Sequence, residues 1–205
     1  MRVAILGAAG HGKVVADAAM AMHGTTVAGF LDDDPALTGT MVMGLPVLGT
    51  IPLWQDFAVD AVVVAIGDNR RRREVVIRER ARNAALATIV HPAAVVSRHA
   101  RVGPGTAVLA GAIINADADV GENVIINTGA IVEHDCVIES HVHIAPGSCL
   151  AGGVRVGEGS FLGIGCRILP GRSIGRWCIV GAGAVVIRDV EDHSTVAGVP
   201  AGNLR

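Results

Sequence analysis

From residue 96 onward an aliphatic side chain returns at every sixth position: Val96, Val102, Val108, Ile114, Val120, Ile126, Val132, Ile138, Ile144, Leu150, Val156, Leu162, Ile168, Ile174, Val180 and Val186. A helix returns apolar residues every three to four positions and a half-buried strand every two, so neither element accounts for this spacing. A short strand that turns one branched side chain inward and then rounds a tight corner does account for it. Three such sides close a coil of about 18 residues, and the stacked coils bury one continuous aliphatic core. Two residues before each aliphatic position lies a mostly small set that includes Ala94, Ala112, Ala130, Cys136, Ser148, Ser160, Cys166, Cys178 and Ala184. Glycine follows the aliphatic residue at Gly103, Gly121, Gly157, Gly163, Gly175 and Gly181, where it assists the corner. The register from 96 to 186 has no insertion, so substrate selection falls to the N-terminal region or to a neighbouring subunit.

Before the repeat the pattern is different. Residues 2–7 (RVAILG) read as a buried strand running into the turn Gly7-Ala8-Ala9-Gly10-His11-Gly12, with a helix expected from about Lys13 to Met22. A second strand, Thr26 to Leu31, ends at Asp32-Asp33-Asp34, and a third, Ala61 to Ile66, ends at Gly67-Asp68-Asn69. Alternating strands and helices predict a parallel sheet whose loops gather at the strands' carboxyl ends, where such domains bind ligands. The spacing G-x-x-G-x-G is not the dinucleotide fingerprint, and Val14 stands where a P-loop needs Ser or Thr, which argues against ATP hydrolysis. A strand-to-helix turn still offers exposed amides to an anion, and Asp32 stands where a carboxylate accepts from ribose hydroxyls. Arg70 to Arg73 read as part of a solvated helix face together with Glu74, Arg78, Glu79, Arg80 and Arg82. His91-Pro92 marks the hinge, giving domains at 1–90 and 91–205.

Composition narrows the function classes. A net charge of −2 argues against a polyanion-binding surface, and three Phe, two Trp and no Tyr leave few stacking platforms for nucleic acid. No apolar run is long enough for a membrane span and no signal peptide is recognised, so the expected location is cytoplasmic. The four cysteines show no C-x-x-C spacing; they are read as reduced, and no metal site is expected.

The repeats hold His99, His134, His141 and His143, and a polar cluster, Asn127 to Cys136 (NTGAIVEHDC), interrupts an otherwise bland surface. Acyl transfer from a thioester needs a base for the nucleophile's proton and a donor for the developing oxyanion. Neutral imidazole suits the first task near pH 7. His134 and His143 stand nine residues apart, half a coil, so one subunit points them to opposite sides; both can serve one site only if two subunits supply them, as in a cyclic trimer.

Five segments together, GAAGHG after the first strand, FLDD at Phe30 to Asp33, AIGDN at Ala65 to Asn69, NTGAIVEHDC at Asn127 to Cys136, and VAGVPA at Val196 to Ala201, make the whole chain resemble the PglD/NeuD family of sugar acyltransferases. The resemblance implies a short Rossmann-like α/β domain that binds a nucleotide sugar, followed by an all-β left-handed parallel β-helix of hexapeptide repeats. It implies a homotrimer with acetyl-CoA between subunits. It places the catalytic base on His134, its carboxylate partner on Asp135 and a polar active-site residue on Asn127. Acetyl-CoA contacts fall on His143, Ile164 and Ala182, and sugar-nucleotide contacts on Ala9, Gly10, His11, Asp32, Asp33 and Gly67. The expected reaction is direct N-acetylation of a nucleotide-linked aminosugar. The nearest alternative is an O-acetyltransferase of a sialic-acid-type sugar. A zinc hydratase on the same prism needs histidines about two coils apart, and none follows His143 within the repeats; a trimeric scaffold that only binds nucleotide sugars is the remaining reading.

Overall fold

The computed structural model describes residues 1–204 and divides the chain into two compact units, Met1–Pro92 and Ala93 onward. In the first unit, β1 (Arg2–Leu6) leads into α1 (Gly10–Ala21) and β2 (Thr26–Leu31). A hairpin of β3 (Met41–Val42) and β4 (Leu45–Gly49) follows, then β5 (Ala61–Val64) and α2 (Asn69–Arg80). The sheet order is β3-β4-β2-β1-β5, parallel except for the hairpin. Central β1 is buried on both faces from Val3 to Leu6, as a continuous apolar run predicts.

Three features depart from the sequence reading, the simplest being β5, which ends at Val64 and not at Ile66. The first helix begins at Gly10, three residues earlier than the apolar periodicity places it, because Gly10 and Gly12 carry no side chain to signal a face. The β3–β4 hairpin was not foreseen; Met43 and Gly44 turn it with φ of 53° and 76°, the left-handed pair a two-residue hairpin requires.

The arginine run is only in part the solvated face that its charge pattern predicts: Arg70, Arg71, Glu74 and Arg80 are exposed, but Arg72 and Glu79 turn inward. Arg72 is fully buried and donates Nη1 to the carbonyls of Ile66 at 3.1 Å and Gly67 at 3.3 Å. Burial pushes its guanidinium down to about 9, against the pull of Asp68. Glu79 is equally buried, accepting from the Trp54 indole at 2.9 Å and pairing with Arg78 at 2.6 Å. Paired burial is what makes a carboxylate tolerable inside a core.

The second unit is the left-handed prism. Two-residue strands recur every six residues from Val95–Val96 to Val185–Val186, those up to Arg167–Ile168 each pairing in parallel with the strand 18 residues on. Fourteen of the sixteen periodic aliphatic residues, Val108 through Val186, are buried, and only Val96 and Val102 in the first coil are half-exposed. Each contributes roughly 1.5–3 kcal/mol of apolar burial.

The small slot has its own logic. Thr106, Ser148 and Ser160 donate to the carbonyls of Gly121, Gly163 and Gly175 at 2.9, 2.9 and 2.7 Å, each 15 residues on. Most side chains in this slot are therefore small and apolar, or short enough to reach the next coil's corner; Arg172 is an exception and turns to the Pro170 carbonyl and Asp189.

The glycines that follow the aliphatic positions permit close stacking. A Cβ at Gly103 would lie 2.6 Å from the Gly121 backbone, and one at Gly163 would lie 2.6 Å from the Val180 carbonyl. The left-handed corner residue is a different one, two positions later. Gly105, Gly111, Asp117, Asn123, Gly129, Asp135, His141 and Gly147 all have φ between 52° and 73°.

Candidate active site

The first unit holds a cavity of about 430 Å³ at the carboxyl ends of the parallel strands, lined by Gly7, Ala9, His11, Asp32, Asp33 and Gly67 among others. Of the expected sugar-nucleotide contacts only Gly10 does not line it. Asp32 accepts from the Ala8 amide at 2.7 Å and the Asp34 amide at 3.0 Å, so one carboxylate ties the glycine turn to the end of β2. Asp33 accepts from Arg71 at 2.8 Å, pairs with Arg78 at 3.5 Å and takes the Ile51 amide at 3.3 Å. Ile51 and Arg71 also line the cavity and were missed by sequence reasoning. Ile51 follows the unforeseen hairpin, and Arg71 was hidden in the charge run.

His11 is held neutral. Burial, with help from the nearby Arg72 charge, lowers its pKa to about 4 from an ordinary 6.5. Between those values the unfolded chain binds a proton that the folded one refuses, so stability is full above pH 6.5 and falls as pH drops toward 4. The loss amounts to about 3 kcal/mol. Amide exchange of Val3 to Leu6, compared between wild type and His11→Gln from pH 7 to pH 4, is expected to show that excess loss in wild type alone.

In the prism, His134 and Asp135 sit at the corner between the strands Ile131–Val132 and Val137–Ile138. Neighbouring residues on a strand would point apart, but at this corner Asp135 adopts φ 60° and its Oδ2 comes 2.7 Å from His134 Nδ1. A carboxylate only accepts, so Nδ1 carries the hydrogen and Nε2 keeps its lone pair. The hydrogen bond to Asp135, reinforced by the charges of Asp135 and Glu133, raises the imidazole pKa above its ordinary value. Both side chains are about two-thirds exposed, at 63% and 66%, which leaves the ring accessible.

The structure does not bring Asn127 to this pair. Asn127 follows the strand Ile125–Ile126, and its Nδ2 lies 3.1 Å from His143 Nε2. The Thr128 amide donates to Asn127 Oδ1 at 2.8 Å and so fixes the amide's orientation. Nδ2 must then donate, His143 Nε2 must accept, and the His143 proton resides on Nδ1. His143 is buried and packs edge-on against Phe161, ring centroids 5.1 Å apart. Ile164 and Ala182 stack on successive coils at the corner beside this face, joined through the bond from Gly183 N to Ile164 O at 2.8 Å. Both are exposed. One chain therefore divides the expected residues into two groups: His134 with Asp135 at one corner, and Asn127, His143, Ile164 and Ala182 along the side opposite it.

Among the described residues no group of three or more His, Cys, Asp or Glu side chains could hold a metal, and no helix is long and apolar enough to cross a membrane.

Comparisons with known proteins agree with this architecture. Residues 2–78 match the PglD N-terminal domain, and residues 117–152 and 153–188 match the bacterial transferase hexapeptide (six repeats). A histidine variant of perosamine N-acetyltransferase from Caulobacter crescentus, in complex with CoA and GDP-perosamine, superposes with a TM-score of 0.94 at 45% identity, covering 100% of this chain and 97% of that one. The acetyltransferase domain of PglB from Neisseria gonorrhoeae, in complex with acetyl coenzyme A, superposes with a TM-score of 0.94 at 40% identity, covering 99% and 98%. UDP-N-acetylbacillosamine N-acetyltransferase of Bacillus subtilis is 40% identical over 110 residues, which is 53% of this chain and about half, 51%, of that protein.

Proposed function

This chain belongs to the PglD/NeuD-type family of hexapeptide-repeat sugar acyltransferases, and from that premise we propose that it moves an acetyl group from acetyl-CoA to the amine of a nucleotide-linked aminosugar. The observation that carries the reading is the exposed His134 imidazole with Nδ1 on Asp135 and a basic Nε2 presented outward. The amine nitrogen attacks the thioester carbonyl carbon, and Nε2 takes the proton that the nitrogen sheds. The carbon–sulfur bond then breaks, and the CoA thiolate leaves with that proton from the imidazolium, giving the amide and free thiol. Asp135 keeps the ring oriented and favours the imidazolium that forms between the two transfers.

Direct transfer accords with the thiols. Burial pushes Cys136, Cys166 and Cys178 above the ordinary thiol range, which makes them poor nucleophiles. The first unit supplies the sugar-nucleotide site through Ala9, Gly10, His11, Asp32, Asp33 and Gly67. His143, Ile164 and Ala182 supply acetyl-CoA contacts. Because the two half-sites of the prism lie half a coil apart, the working enzyme is a homotrimer in which the His134 corner of one subunit faces the His143 side of another. Four free cysteines and a thioester cosubstrate favour a cytoplasmic location.

A panel of GDP- and UDP-linked aminosugars and free sialic-acid-type sugars, assayed with acetyl-CoA for thiol release, tests the reading. Turnover is expected with an amine acceptor; release with hydroxyl acceptors alone would transfer the assignment to O-acetylation, and none with any acceptor would defeat it.

A further inference from the structure

Position 152 is occupied by glycine for a reason the coil does not supply. Its φ lies outside the left-handed range, so any side chain fits its local conformation. The same place in other coils is filled by Arg98, Ala116, His134, Pro170 and Arg188, each carrying a Cβ. What a Cβ at 152 would meet is the His134 ring, 2.6 Å from Cε1, 2.6 Å from Nε2 and 3.2 Å from Nδ1. Ordinary carbon contacts lie at about 3.5–4.0 Å.

We propose that Gly152 is a positioning residue for the transfer reaction, its missing side chain forming the seat against which the His134 imidazole rests. The inference rests on His134 being the base. Two restraints then define the ring: Asp135 holds its Nδ1 edge, and the glycine of the next coil, lying over the Cε1–Nε2 bond, supports its face. The backbone cannot yield, because Gly153 donates to the His134 carbonyl at 2.9 Å and Gly171 to the Gly152 carbonyl at 3.0 Å, pinning three coils together. A methyl group at 152 must therefore displace the ring by about 1 Å, far enough to spoil the bond to Asp135 and to cover the nitrogen that accepts the proton. Alanine keeps the backbone amide, so any loss is not the loss of a donor. The carboxylates beside the ring are Asp135 and Glu133; the coils on either side present Ala116 and Gly152, with Asp117 and Gly153 in the place of Asp135.

The test pairs kinetics with an NMR titration of the His134 ring in wild type and Gly152→Ala. A misplacement of this size is expected to lower kcat on the order of 10²-fold, with KM for both substrates within about twofold. The His134 titration should move down toward its ordinary value as Asp135 loses its grip, while Pro170→Ala, in the same slot one coil further, leaves both unchanged. Unchanged kcat and titration in Gly152→Ala would overturn the proposal, as would a fall in kcat with the titration unmoved. Should Gly152→Ala lower the melting temperature, adding His134→Ala must restore it, since removing the ring removes the clash; failure to restore it also overturns the seat. A His134 titration that shifts between wild type and Gly152→Ala, with a wild type that acetylates nothing, would leave the seat standing and sink the enzymatic reading instead.

Discussion

His134→Ala is expected to lower kcat/KM for acetyl transfer about 10²- to 10⁴-fold, the range a positioned general base supplies. Melting temperature should stay put, because a side chain 63% exposed leaves no cavity. Acetyl-CoA affinity should also hold, since the contacts assigned to it, His143, Ile164 and Ala182, come from the neighbouring subunit and do not include His134. Stopped-flow thiol release and calorimetric titration of CoA separate these outcomes; equal losses of turnover and CoA binding would place His134 in the cosubstrate pocket instead. Asp135→Asn gives the companion result. Asparagine tolerates the φ of 60° at this corner and can still accept from Nδ1, so the fold and ring geometry persist. Without the carboxylate the imidazole pKa falls toward 6.5, so the acid limb of kcat/KM shifts to lower pH and the plateau drops.

Gly12→Ala is expected to be the most damaging single methyl group in the first unit. A Cβ there would sit inside the van der Waals shell of the Gly7 carbonyl and 3.6 Å from the Phe30 ring, so helix α1 could not keep its place on β1 and β2. Both obstacles belong to the buried centre of the sheet, and neither is the free end of a flexible chain. Overpacking of this kind costs about 1–3 kcal/mol. In a unit of 92 residues it should lower the melting transition by on the order of 10 °C. The Asp32 to Ala8 link spans the same turn, so KM for the nucleotide sugar should rise while the prism's affinity for CoA is unaffected. Amide exchange faster in Val3 to Leu6 but unchanged at Ile126 and Ile144 would confirm that the damage is local.

Much of the prism is legible in the sequence, because its period is a direct imprint of geometry. Each coil turns three corners, each side exposes one inward position, and only aliphatic residues are stable there. The sheet of the first unit was legible for the same reason, since β1, β2 and β5 are apolar runs, the first two followed directly by Gly7 and Asp32. The hairpin Met41–Gly49 was not, being two short strands whose turn depends on two positive φ values and not on hydrophobic alternation. Nor was the burial of Arg72 and Glu79, which sit in a charged helix and are internal only because carbonyls and the Trp54 indole meet them.

At the His134 corner the division is sharper. Spacing along the chain assigns every residue to a coil and a side, and so places His134 half a turn from His143. It cannot say which way a corner residue projects, because that depends on the left-handed φ of Asp135, a slot glycine fills in many other turns. It says still less about contacts made across coils, where Asn127 reaches His143 and His134 comes to rest on Gly152. Periodicity is a property of one strand and its neighbours in sequence; those contacts join residues 16 and 18 positions apart, and only the stacking of coils brings them together.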